Sequence, residues 1–305
     1  MKTRLAILAA LLLARVVSWG AGFGITWEND VFLHKDDNYT QGLELYCVDT
    51  VTNEIGLLER NVWGLRNRMY TPDDISDPND QPWDRPWAGV TTVYHEWTDK
   101  EDSRYVMTGW ELGVLGPESG VEWMQTTIHG WTGSRKPMGW SNQVPNEISA
   151  QFYQTYYEPL ANWGTPGEWT ADVEMPYGYC AGTTFDNVSG GLSVRLGWNI
   201  PPAHYCGQIE PKLTIPKPFA YLMADGTARY VLHNATLGHS FFRSHDDSQW
   251  DRELIPVVGE WDYGFCFGYK YFAVTYLIGQ RTDEFENQPE PFEWGMIRLE
   301  FYRVF

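Results

Sequence analysis

Past its first twenty residues this 305-residue chain spaces its apolar residues two apart, and nowhere runs them together for the length a membrane helix needs. Leu192, Val194, Leu196 and Trp198 alternate with Ser193, Arg195, Gly197 and Asn199, and Phe272, Val274, Tyr276 and Ile278 repeat the pattern. Near the end Ile297, Leu299, Phe301 and Phe305 share one parity, Arg303 excepted, against Arg298, Glu300 and Tyr302 on the other. Period two is the signature of a strand with two different faces. If such a chain spans a bilayer it does so as a closed barrel, because open sheet edges leave backbone groups without partners in hydrocarbon.

Aromatic residues make up 16% of the chain, with Trp 16 and Tyr 18, at a mean hydropathy of only −0.40. An outer-membrane barrel combines these traits, since its interfaces take Trp and Tyr while its interior stays polar. A secreted sugar-binding β-protein would use the same rings for stacking. The alternation decides for the barrel, and a final strand ending on an aromatic residue resembles the terminal strand of bacterial outer-membrane barrels.

The amino terminus has the form of a secretory leader. Lys2 and Arg4 precede an apolar run from Leu5 to Leu13, and Ser18-Trp19-Gly20 offers small residues for cleavage after Gly20. That run falls short of the roughly 20 residues a membrane helix requires. The expected organisation is therefore a leader over 1–20 and a single barrel over 21–305, with no linker or internal repeat. A formal charge of −18 disfavours nucleic acid as a partner and favours cations. Cys47, Cys180, Cys206 and Cys266 form no Cys-x-x-Cys pair, which argues against zinc and leaves three disulfide connectivities open.

Strand candidates near 23–29, 40–50, 87–97, 103–115, 147–160, 168–184, 218–226, 227–236 and 254–267 join the three above to give about twelve, an even number as such barrels prefer. Polar or Pro-rich stretches at 51–86, 200–217 and 237–253 read as extracellular loops. One segment breaks the strand pattern. Ser119-Gly120-Val121-Glu122 reads as a capping box, Val121, Met124, Ile128 and Trp131 follow helical spacing, and Gly130 or Gly133 can end the element. Gln125 and His129, four apart, then lie one above the other beside the apolar stripe. The fold class is thus all-β: a transmembrane antiparallel barrel of about twelve strands with one short helix at the active-site rim.

The polar motifs cluster at that rim. Glu28-Asn29-Asp30 is followed by Tyr39-Thr40-x-Gly42, then Tyr70-Thr71-Pro72 and Asp84-Arg85-Pro86-Trp87-Ala88-Gly89. Leu112-Gly113-Val114-Leu115-Gly116-Pro117, Gln125-x-x-x-His129, Gly139-Trp140 and Gln143-x-x-Asn146-Glu147 complete the series. In this order the motifs resemble the lipid A 3′-O-deacylase family of Gram-negative outer membranes, across roughly the first half of the mature chain.

The resemblance implies a twelve-stranded barrel whose site lies between the outer end of the wall and a short helix. It further implies calcium-assisted removal of 3′-linked acyl chains from lipid A, with lipopolysaccharide as substrate and no obligate protein partner. Carried over by position, His129 would be the general base, with Asn29, Asp30, Thr40 and Gln125 around it and Asp30 on the metal. The residue types suit the chemistry: imidazole works as a base near neutral pH, and hard oxygen donors and amides stabilise a developing oxyanion. Where the family carries a basic pair in the loop after Tyr-Thr-Pro, this chain has Asp73 to Asp80. Phosphate binding would then fall to Arg135, Lys136, Arg66 and Arg68. Competing readings are a non-catalytic barrel, a pore or structural protein, and a phospholipase-type acyl hydrolase.

Asp84-Arg85-Pro86 reads as structural, a strand entry in which Arg85 pairs with an interior acid, and Asn146 with Glu147 as a lumen-facing polar pair. His34, His95, His204, His233, His239 and His245 read as loop or rim residues.

Overall fold

The computed structural model describes residues 22–30, 38–52, 58–101, 104–165, 167–201, 215–242 and 249–302. The leader, Cys206, Phe305, His34, His204 and His245 lie outside them, as does the side chain of Thr40. Twelve strands follow in order: β1 (Gly22–Asn29), β2 (Asn38–Thr52), β3 (Leu58–Thr71), β4 (Ala88–Glu101), β5 (Arg104–Leu115) and β6 (Glu147–Gly164). They continue with β7 (Trp169–Gly182), β8 (Phe185–Trp198), β9 (Ile215–Asn234), β10 (Val257–Lys270), β11 (Phe272–Arg281) and β12 (Phe292–Tyr302). Each pairs antiparallel with its neighbour in sequence, and β12 returns to β1, so the sheet is a closed barrel.

Twelve strands were expected and twelve are present, through two errors that cancel. Strand β3 lies inside the stretch read as a loop at 51–86, and the segments 218–226 and 227–236 are one strand, β9. The connection from β8 to β9 leaves from the end at which β1 begins and β12 finishes. Of the segment 200–217 read as an extracellular loop, residues 202–214 lie outside the described residues; the strand ends that flank it, Trp198 and Ile215, are opposite the end that carries the helix.

Burial inverts the pattern of a water-soluble sheet. In β8, Leu192, Val194 and Leu196 are exposed while Ser193, Arg195 and Gly197 are buried. The same inversion puts Trp27, Trp63, Phe152, Phe265 and Phe301 on the outside. An apolar outer band around a polar interior is what a lipid-facing barrel requires.

The interior is packed in layers. Phe219, Tyr221, Met223, Cys266, Ala273, Leu277 and Met296 fill one side, with Tyr46, Val48, Val62 and Tyr94 on the other. Between these and the long loops lies a cavity of about 590 Å³ walled by charged residues. Arg66 bonds Glu44, Glu111 and Glu96, and Arg68 grips Glu111 with two hydrogen bonds of 3.0 Å. Across the barrel Glu260 pairs with Arg229 and with Arg281 (2.7 Å), and Arg281 reaches Glu284 (3.2 Å). Arg85, fully buried, reaches Glu284 at 3.3 Å between the rings of Tyr70 and Phe292, in keeping with an Arg paired to an interior acid. Arg252 donates to the carbonyls of Asp84 (2.5 Å) and Gln81 (3.2 Å). These two arginines pin the 72–87 connection over the mouth.

Candidate active site on the outer face of the wall

Which side of the wall a residue serves follows from parity. The cavity is lined by Glu28, Glu44, Arg66 and Arg68, so their odd-numbered neighbours on β1 and β3 face outward. At the rim one row runs straight across four strands through direct register partners: Asn29 with Gln41, Gln41 with Met69, Met69 with Gly89. Met69 is wholly buried on this outer side, against Ile75, Trp87, Val121 and Trp140. What covers the row is the helix α1 (Val121–Thr132).

The approach to α1 is set by glycines. Gly116 turns at φ 99°, and a side chain there would meet the Pro145 carbonyl at 2.6 Å. Gly89 has no Cβ to hold off Ser119 and Val121, which would lie 2.6 Å from one. The helix starts at Gly120 in the left-handed region (φ 77°), not at Ser119. The capping box is thus corrected. Ser119 closes a short 3₁₀ turn, Pro117–Ser119, and its Oγ accepts only a long bond from the Val121 amide, 3.4 Å. Outward-facing Asn67 donates to Thr91 Oγ1 (2.7 Å), which donates to the Ser119 carbonyl (2.9 Å), tying this turn to the wall.

Val121 sits over Gly89 on β4, and Met124 Sδ lies 4.0 Å from Gln41 Nε2 on β2. The helix therefore heads from β4 toward the strand end that carries Asn29. Val121 and Met124 thus meet the wall, and Trp131, expected on the apolar stripe, is 83% exposed. Gly133 (φ 74°) ends it, with its amide donating to the His129 carbonyl at 2.9 Å. The chain then doubles back, so that His129 Nδ1 lies 2.5 Å from the Arg135 carbonyl. A carbonyl only accepts, so Nδ1 carries a proton, and in the neutral ring Nε2 is the nitrogen with the free lone pair.

Gln125 is almost fully buried, and its Oε1 accepts from Trp140 Nε1 at 2.7 Å. Asn29 is 8% exposed and Asp30, one residue beyond β1, is wholly buried. Thr40 lies on β2 next to Gln41. The rim thus gathers the wall residues and the helix residues singled out by sequence.

The four proposed phosphate ligands separate. Arg66 and Arg68 point into the barrel and are held by Glu44, Glu96 and Glu111, so the wall stands between them and the helix. Arg135 and Lys136 are exposed on the outer side, just past α1. The Asp74 carboxyl is held below its usual range chiefly by the Ser76 hydroxyl and amide, with the Arg135 charge a lesser cause, which sets Arg135 beside the acidic loop.

Two further readings change. His95 is not at a rim but mid-strand on the outer wall, stacked on Trp63 at 4.1 Å. Asn146 does not face the lumen: exposed, it accepts from the Glu118 amide at 2.7 Å and braces the turn before the helix. Cys47, Cys180 and Cys266 are free thiols.

A closed barrel with an apolar outer band around a polar interior defines a class: an outer-membrane β-barrel. The family is shown by a model described as "Outer membrane protein LpxR", which matches residues 4–303, and the chain belongs to that family. Among solved structures, LpxR from Salmonella typhimurium superposes with a TM-score of 0.79 at 18% identity, covering 92% of this chain and 100% of that one. The β domain of the Bordetella autotransporter BrkA gives a TM-score of 0.48 at 10% identity, covering 93% of this chain and 99% of the other, too remote a likeness to say more. No curated protein sequence matches at a significant level.

Proposed function

We propose that this protein is a carboxylic-ester hydrolase of the outer membrane that removes 3′-linked acyl chains from lipid A, with His129 as general base. The observation that carries the reading is the His129 ring. Its Nδ1–H is engaged by the Arg135 carbonyl, so Nε2 is the nitrogen that takes a proton from water as it attacks the ester. Support also comes from the motif resemblance and from the placement of the site on the lipid-facing side of the wall.

The charge that develops on the ester oxygen needs donors in place beforehand. Gln125 on α1 can provide one through its amide. A calcium ion would suit the remainder of the donor set. Among the described residues no three His, Cys, Asp or Glu side chains converge, so the ion would draw on the buried Asp30 carboxylate, the Asn29 amide oxygen and carbonyls, all hard ligands. When bound, it would supply Lewis-acid stabilisation of the oxyanion. Asn29 and Asp30 sit at the strand end toward which the helix runs, which supports counting them in this site.

On the head-group side Arg135 and Lys136 are the cations positioned for a phosphate. The acidic stretch Asp73 to Asp80 beside them favours a second reading, a phospholipase-type hydrolase whose substrate carries a single phosphate. Mass spectrometry of lipid A from cells expressing wild type or His129→Ala, with and without calcium, tests the proposal. Loss of the 3′ acyl group with wild type alone is expected, and unchanged lipid A with altered phospholipids would instead select the second reading. Intact lipids throughout would favour an inert barrel.

A further inference from the structure

We propose that Trp140 is a positioning residue for the ester-hydrolysis site. Its indole N–H fixes the Gln125 amide in the single orientation that presents Nε2 as a donor to the reacting oxygen. The inference rests on the hydrolase reading above.

An amide side chain has two faces of nearly equal shape, one that donates and one that accepts. Which of them faces a reacting group depends on what holds the other. An indole nitrogen only donates. Its 2.7 Å bond to Gln125 therefore requires Oε1 on the Trp140 side, and a flipped amide would set two donors against each other. Gln125 Nε2 is left buried, with no hydrogen-bond partner among the described residues. Folded proteins rarely leave a buried donor so, and a substrate or water that completes it is the usual reason.

Trp140 is itself held firmly enough to impose this. It begins a 3₁₀ turn, Trp140–Asn142, and is buried among Met69, Ile75, Trp87 and Val121. Its ring packs at 59° on Trp87 with centroids 4.9 Å apart. The close approach needs Gly139, since a Cβ there would lie 2.5 Å from Trp87 Nε1. The Val144 amide bonds the Trp87 carbonyl at 2.9 Å and Gln143 Nε2 bonds the Trp140 carbonyl at 3.1 Å, closing the turn on the 72–87 connection. Gly139-Trp140 and the segment Asp84 to Gly89, conspicuous in the sequence but outside the reaction itself, thereby serve one end: the angle of one amide.

Purified protein in detergent micelles separates this role from simple packing. Turnover of a lipid A ester is compared among wild type, Trp140→Phe, Gln125→Glu and the double variant. Binding is measured for a phosphonate analogue, whose anionic tetrahedral centre mimics the oxyanion, and for an ether analogue that mimics the ground state. Trp140→Phe keeps a ring against Trp87 but removes the N–H together with part of the indole, so KM and ether binding report lost packing while kcat and phosphonate binding report the lost donor. Its kcat is expected to fall about tenfold or more, less than the roughly 10²–10³ that outright removal of an oxyanion donor costs, with KM within about twofold. Phosphonate affinity should fall by a similar factor while ether binding holds. Gln125→Glu keeps the acceptor for Trp140 but loses the donor, so adding Trp140→Phe to it should cost nothing more, the signature of two residues acting as one unit. Unchanged kcat in Trp140→Phe, or losses that add in the double variant, would overturn the proposal. A wild type that neither turns over the ester nor prefers the phosphonate overturns the hydrolase reading, and this inference with it.

Discussion

Positions 66 to 69 of β3 serve two environments within four residues. Arg66 and Arg68 enter an interior where Arg66, Arg68, Arg229 and Arg281 of the cavity wall each meet an acid. Asn67 and Met69 enter a thin layer between wall and helix, where Asn67 bonds Thr91 and Met69 packs against Val121 and Trp140. Inside, charge is matched, which fixes the register of neighbouring strands and leaves nothing to do chemistry. Outside, His129 Nε2 and Gln125 Nε2 have no hydrogen-bond partner among the described residues. The contrast is between a matched charge network and sparse polar bonding, since Tyr221 Oη and Thr98 Oγ1 on the interior side also have no hydrogen-bond partner among the described residues.

The sharpest way to break this contrast is to exchange the two faces. Inserting one alanine between Leu65 and Arg66 would turn Arg66 and Arg68 toward lipid and Asn67 toward the acids. Loss of the heat-modifiable folded band on gels is expected, and a variant that assembles normally would show that a local bulge can absorb the shift. A milder break removes one interior partner. Glu111→Ala leaves Arg66 and Arg68 short of a buried counter-charge, which costs about 3–5 kcal/mol. Denaturant unfolding in detergent should show that loss while activity per folded molecule is kept.

On the outer side, Gly133→Ala forces a side chain into a left-handed conformation (φ 74°) at about 1–2 kcal/mol. It should loosen the Arg135 carbonyl from His129 and reduce turnover less than His129→Ala does, with assembly unchanged. The smallest effect is a pH response of the 72–87 connection, whose two acids oppose each other. Burial pushes the Asp84 carboxyl up, against the pull of the Asp73 and Arg85 amides that donate to it. The folded state thus binds more protons, and stability falls as pH rises from the ordinary value of 3.8 through the raised one. Asp74 is lowered, so its contribution is present above 3.8 and is lost as pH falls through the lowered value. Asp84→Asn should flatten the first response and Asp74→Asn the second, read as the rate of limited proteolysis of this connection between about pH 3 and 7.

Much of this was legible in the sequence, and the failures share a cause. β8, β11 and β12 were plain because their outward faces are apolar. β3 was hidden because Arg60, Arg66 and Arg68 on its inward face, with Asn61 and Asn67 between, make it read as a polar loop, although a barrel interior is where such residues belong. β9 was split because Gly226 interrupts twenty residues of one strand. The same parity that sets Met69 outward would have sent Arg66 and Arg68 inward, had β3 been recognised. Gln125 and His129 were visible from helical spacing and motif order. The contact between Gln125 and Trp140 was not, since fifteen residues and a left-handed turn separate them.

Because the helix covers the outer face of the wall, the hydrolase reading proposed above predicts that a leaflet amphiphile reaches the site by sliding within a two-dimensional phase. Encounter frequency then scales with the substrate's mole fraction at the surface rather than with its concentration in volume. Diluting the bilayer or micelle with inert lipid should slow turnover at constant total substrate, as enzymes working in an interface do.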